Sequence, residues 1–122
     1  MVFKMNVPDI AELEMNKYNA KKTVIDGIEF DSRREAERYQ ELKVLERAGY
    51  IEGLLIQPKY TLVEGFEYRG KRVRPITYIG DFQYVENGEI VVEDVKGMKT
   101  AVYRLKSKLM KWRYPQIDFR EV

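Results

Sequence analysis

The stretch from Tyr78 to Gly97, YIGDFQYVENGEIVVEDVKG, constrains this chain more than any other. Asn87-Gly88 between two alternating segments is a type I′ signal, and a two-residue loop fixes the pairing of the strands it joins. Glu86 then faces Glu89, Val85 faces Ile90, Tyr84 faces Val91 and, further along, Asp81 faces Asp94. Opposed residues share a face, with Cβ atoms roughly 4.5–5.5 Å apart. Alternation puts Lys96 on the face of Asp94 and Glu93 on the other. Ile79, Gln83, Val85, Ile90 and Val92 complete the first face. Two carboxylates so placed repel unless a proton or a cation lies between them.

The rest of the chain supplies a frame. TVIDGIEF reads as a short hairpin turning at Asp26-Gly27. SRREAERYQELKVLERAGY is a helix, with Ser32 and Glu35 spaced as a capping box, Ala36, Tyr39, Leu42 and Leu45 on one stripe, and Gly49 at its end. A meander of strands follows, turning at Arg69-Gly70 and Asn87-Gly88, with Pro58 and Pro75 at strand starts, edges or bulges. TAVYRLKSKLMKWRY predicts a second helix whose apolar stripe is Val102, Leu105, Leu109 and Trp112. Pro115 stops it, and QIDFREV makes a last strand. Residues 1–22 read as an arm or peripheral segment and 23–122 as one domain. The order helix, meander, helix, strand predicts an α/β fold with a mixed sheet.

Composition narrows the chemistry. There is no cysteine and no histidine among the 122 residues. Disulfides, thiolate or imidazole metal sites and Cys or His catalysis are excluded. A cation between carboxylates would be hard and oxygen-bound, Mg²⁺ or Mn²⁺. No apolar run approaches the ~20 residues that span a bilayer, and no export signal is apparent, so a cytoplasmic protein with no membrane partner is expected. The net charge is +2, but it is unevenly spread. Arg69, Lys71, Arg72 and Arg74 form one basic cluster. Lys99, Arg104, Lys106, Lys108, Lys111 and Arg113 form another, in a stretch from Gly97 to Ile117 that holds no acid. Two such clusters suit a polyanion, or a solvated surface.

An acid on one strand, a hairpin, then acid-x-Lys on the next resembles the PD-(D/E)XK nuclease superfamily: Asp81, then Asp94-Val95-Lys96. The fuller pattern, FDSRREAERYQEL, IQPKYTL, YIGDF, VVEDVKG and RLKSKL, resembles a family of small phage- and prophage-type proteins assigned to it. The likeness covers about residues 17–122, with Gly80 where the superfamily's name puts Pro. It implies a restriction-endonuclease-like core: a mixed β-sheet, an antiparallel meander plus a final strand, flanked by helices. It implies a Mg²⁺- or Mn²⁺-dependent endodeoxyribonuclease of a bacterial host's cytoplasm. Asp81, Asp94 and the Val95 carbonyl would bind the metal, and Lys96 would orient the attacking water. Glu35 is either a site residue or only a helix cap. Lys106 is a candidate because many superfamily members reach the centre from the second helix. Arg69, Lys71, Arg72, Arg74, Lys99, Arg104, Lys108 and Lys111 are the candidate DNA contacts. A homodimer and recognition of branched or junction DNA follow from the same analogy and from the small size of the chain. A non-catalytic nucleic-acid-binding module of the same fold is the alternative.

Overall fold

A computed structural model describes residues 22–95 and 97–122, which carry ten strands and two helices in a mixed α/β arrangement. The expected arm at residues 1–21 and Lys96 lie outside the described residues. Contacts divide the chain into two compact units, Met1–Gln40 and Glu41–Val122.

In the first unit, β1 (Thr23–Ile25) and β2 (Ile28–Phe30) form the expected hairpin. Asp26 and Gly27 both take positive φ, as a type I′ turn demands. The Tyr39 hydroxyl donates to Asp26 Oδ2 at 2.9 Å, and the rings of Phe30 and Tyr39 lie 5.1 Å apart. Helix α1 (Arg33–Arg47), which runs from the first unit into the second, begins where Ser32 Oγ accepts the Glu35 N–H at 3.0 Å. Its residues Ala36, Tyr39 and Leu42 are buried, as the stripe predicts. It ends in a Schellman motif at Gly49, whose N–H meets Glu46 O while that of Tyr50 reaches Leu45 O.

The second unit is built on the sheet β10-β9-β8-β3: β3 (Glu52–Ile56), β8 (Phe82–Glu86), β9 (Glu89–Asp94) and β10 (Asp118–Glu121). Glu46, in the part of α1 that belongs to this unit, accepts the Leu54 N–H at 3.0 Å. β8 and β9 pair in the register that Asn87-Gly88 dictates, from Glu86 opposite Glu89 to Phe82 opposite Glu93. β10 returns parallel to β9, setting Glu121 beside Asp94. α2 (Ala101–Arg113) is the crossover that a parallel neighbour requires. Thr100 caps it by accepting the Tyr103 N–H.

Two short pairs complete the meander: β4 (Lys59–Val63) with β7 (Ile76–Ile79), and β5 (Phe66–Tyr68) with β6 (Lys71–Val73). The β3–β8 and β4–β7 ladders share one register, for Leu55 opposes Gln83 and Tyr60 opposes Tyr78. Between them Gln57 N–H donates to Asp81 O at 3.0 Å and Gly80 N–H to Pro58 O at 2.9 Å. Gln57 has φ 55°, so pairing survives through a sharp bend in the backbone.

The core of this unit joins Leu62, Tyr78, Val92, Tyr103 and Met110. That corrects the expected face of α2. Tyr103, Ser107 and Met110 are its buried residues, whereas Val102, Leu105 and Trp112 are exposed and only Leu109 turns partly inward. The buried stripe carries two hydroxyls, and each finds a role: the Tyr103 phenol donates to Glu121 Oε2 at 2.6 Å, and Ser107 bonds back to that phenol. Counting apolar residues alone selects the wrong side of such a helix.

Candidate active site at the ends of β8 and β9

Asp81 sits in the bend, and three backbone interactions fix it. Its N–H donates to Glu93 O and its carbonyl accepts from Gln57 N–H, each at 3.0 Å. Its Oδ2 accepts the Val95 N–H at 2.6 Å, a short charge-assisted bond. The ladder proper stops at Phe82 and Glu93, one pair short of Asp81 facing Asp94, because the Asp81 N–H reaches Glu93 rather than its own opposite number. The carboxylate nevertheless lands on the residue that follows Asp94.

Asp94 is 2% exposed, and its Oδ2 accepts a hydrogen bond from the Tyr78 hydroxyl. Burial, the bond to Asp94, and the negative charges of Asp94 and Asp81 hold the Tyr78 phenol far above the usual tyrosine range. It is a neutral donor at any physiological pH, and it feels both aspartates. Simple alternation along β7 puts Ile79 on this face. Ile79 is instead exposed, because the irregularity at Asp81, whose N–H shares Glu93 with the Phe82 pair, breaks the alternation and leaves Tyr78 on the side of Val92. A Cβ on Gly80 would lie 3.1 Å from Val92 Cγ1 and 3.4 Å from the Tyr78 ring. Proline at this position would also lose the N–H bonded to Pro58 O.

Glu93 points the other way, as alternation requires. It is wholly buried and accepts from the Tyr84 hydroxyl. Arg120 Nη1 donates to the same hydroxyl at 3.4 Å, and its guanidinium pairs with Glu86 and Asp118, each at 2.8 Å.

Sequence reasoning missed a third carboxylate. Glu121 lies beside Asp94 in the parallel ladder, receives the Tyr103 hydroxyl and pairs with Lys99 at 2.9 Å. Lys99 first, then Tyr103, draws the Glu121 pKa below the usual carboxylate value against the opposing effect of burial. The Tyr103 phenol is pushed up by burial, by its bond to Glu121 and by the charge of Asp94. Only the arrival of β10 parallel to β9 could have signalled this neighbour.

The donors around Asp81 and Asp94 are all oxygen, as Mg²⁺ or Mn²⁺ prefers. Among the described residues no group of three or more Asp, Glu, His or Cys side chains could hold a metal. Two carboxylates are as many as Mg²⁺ would take where water and a substrate phosphate completed its shell.

The remaining candidates are spread out. Glu35, half-buried, belongs to the first unit and its N–H is taken by Ser32. Lys106 is half-buried beside the inward stripe of α2. Lys99 is engaged by Glu121, and Lys111 lies 5.8 Å over the Phe119 ring. Arg104 and Lys108 are exposed on α2. Arg69, Lys71, Arg72 and Arg74 are exposed on and beside the β5–β6 hairpin, which also shows Phe66 and Tyr68 to solvent.

Among known families, the model described as "Protein of unknown function (DUF1064)" matches residues 15–122. The chain belongs to that family. No curated protein and no solved structure matches it. Among the described residues of this DUF1064 member, no helix is long and apolar enough to cross a membrane.

Proposed function

We propose that this chain is a metal-dependent endodeoxyribonuclease that hydrolyses DNA phosphodiester bonds. One observation carries the reading: the Asp81 carboxylate binds the backbone next to Asp94, and one neutral phenol, Tyr78, senses both acids. A structural protein gains nothing from converging two carboxylates at the edge of a core. Asp81, Asp94 and the Val95 carbonyl would hold Mg²⁺ or Mn²⁺. When bound, the cation would neutralise phosphate charge and lower the pKa of water. The Val95 amide and the Tyr78 hydroxyl keep the carboxylates aimed, as outer-shell partners do. Lys96, two residues beyond Asp94, would orient the attacking water. Arg69, Lys71, Arg72 and Arg74, on and beside a hairpin arm with exposed Phe66 and Tyr68, suit a DNA backbone. Two copies about a twofold axis would offer one site to each strand.

The second reading, a non-catalytic nucleic-acid-binding module, is favoured by the lack of any three-acid group among the described residues. Incubation with branched, duplex and single-stranded DNA under Mg²⁺, Mn²⁺ or EDTA separates the two. Cleavage lost with EDTA and with Asp94→Ala is expected. Cleavage that persists in either condition refutes the mechanism, and binding without cleavage favours the module.

A further inference from the structure

The exposed side of α2 needs a reason. Val102, Leu105 and Trp112 are 62, 57 and 72% exposed. At about 100° per residue they and Leu109 fall in one narrow sector of the helix. Lys108, Arg104 and Lys111 line one border of that sector, and Arg113 and Lys106 the other. Single exposed apolar residues are ordinary, but three on one stripe make a patch. No acidic residue occurs between Gly97 and Ile117, and the apolar strip is bordered by the exposed Arg104 and Lys108 on one side and, on the other, by half-buried Lys106 and by Arg113, which pairs with Glu64 at 3.0 Å.

We propose that this face of α2 docks an acidic amphipathic helix supplied by a partner protein. Apolar anchors at helical spacing would cover Val102, Leu105 and Trp112, and flanking carboxylates would meet Arg104 and Lys108. Nucleic acid is a poorer occupant, because Val102 and Leu105 offer nothing to phosphate, whereas the basic β5–β6 hairpin does. A second copy is poorer still. Packing α2 antiparallel on its twofold mate sets Arg104 and Lys108 against their own copies. The proposal does not require the nuclease reading, and it assigns Arg104, Lys108 and Lys111, candidate DNA contacts there, to a protein partner instead.

Trp112 is the only tryptophan, so it reports on this face without a label. The probe is a synthetic peptide of roughly 15 residues with leucines at i, i+3 and i+7 and glutamates on the flanks. The expected result is a saturable blue shift of Trp112 emission. Leu105→Glu, and separately Arg104→Glu with Lys108→Glu, should weaken binding about tenfold or more, equivalent to about 1.4 kcal/mol. These sites are exposed, and far-UV circular dichroism checks that the variants fold. The proposal fails if a lysine-flanked version of the peptide binds as well, or if only a DNA duplex shifts the emission. It fails equally if the protein alone shows a buried tryptophan, at all concentrations or on concentrating it.

Discussion

Replacing Tyr103 with Phe tests the buried side of α2 through its pH dependence. The phenol is 6% exposed and donates to Glu121 Oε2 at 2.6 Å. A hydrogen bond to a charged group contributes about 1.5–3 kcal/mol. Glu121 is 31% exposed and keeps Lys99, so a loss of about 1–2 kcal/mol is expected at pH 8. Burial, then Glu121, raises the folded-state pKa above the unfolded value of 10.0. The folded chain therefore holds this proton where the unfolded chain sheds it. The contribution is fully present below pH 10 and drains as pH rises from there, by about 1.4 kcal/mol per pH unit. The variant has no phenol to lose. Its deficit at pH 8 should shrink to about zero by about pH 11.5, and the two stability curves should meet. Urea unfolding followed by far-UV circular dichroism from pH 8 to 11.5 measures this, with lysines and the other tyrosines common to both proteins. Parallel curves, with a gap that stays constant, would show that Tyr103 titrates as a solvated tyrosine and that the reasoning about this face is wrong.

Two further outcomes follow from the same neighbourhood. Glu121→Gln should destabilise the protein at pH 7 by no more than about 1 kcal/mol, since the Lys99 pair is partly solvated. Because the Glu121 pKa is depressed, its contribution exists above pH 4.5 and is lost as pH falls through the folded value. Thermal melts of the two proteins should converge in acid, and a gap that widens there would contradict the assignment. Gly80→Ala should cost about 1–2 kcal/mol, from a Cβ 3.1 Å from Val92 Cγ1. Gly80→Pro should cost roughly 1 kcal/mol more, for the lost bond to Pro58 O. Equal urea midpoints for the parent protein and the Gly80→Ala variant would mean that this bend is not packed as described.

What the sequence could reveal depended on whether a local feature governed the outcome. Asn87-Gly88 sets the β8–β9 register by itself from Glu86–Glu89 to Phe82–Glu93, but the expected opposition of Asp81 and Asp94 gives way where the Asp81 N–H turns to Glu93 and its carboxylate to the Val95 N–H. Ser32 and Gly49 likewise announce the ends of α1. Tyr78 escapes a reading that carries alternation through Asp81, where the backbone bends opposite Gln57, itself at positive φ and bonded to the Asp81 carbonyl. Glu121 escapes it because no turn joins β9 to β10; their parallel register is set by how α2 lies on the sheet. α2 misleads for a more general reason. Its two candidate stripes differ in kind, one aliphatic with Trp112, the other Tyr103, Ser107 and Met110. Hydropathy favours the first. A carboxylate waiting at Glu121 favours the second, since Tyr103 buries an aromatic ring and still satisfies its hydroxyl, leaving the greasier stripe outside between its lysines.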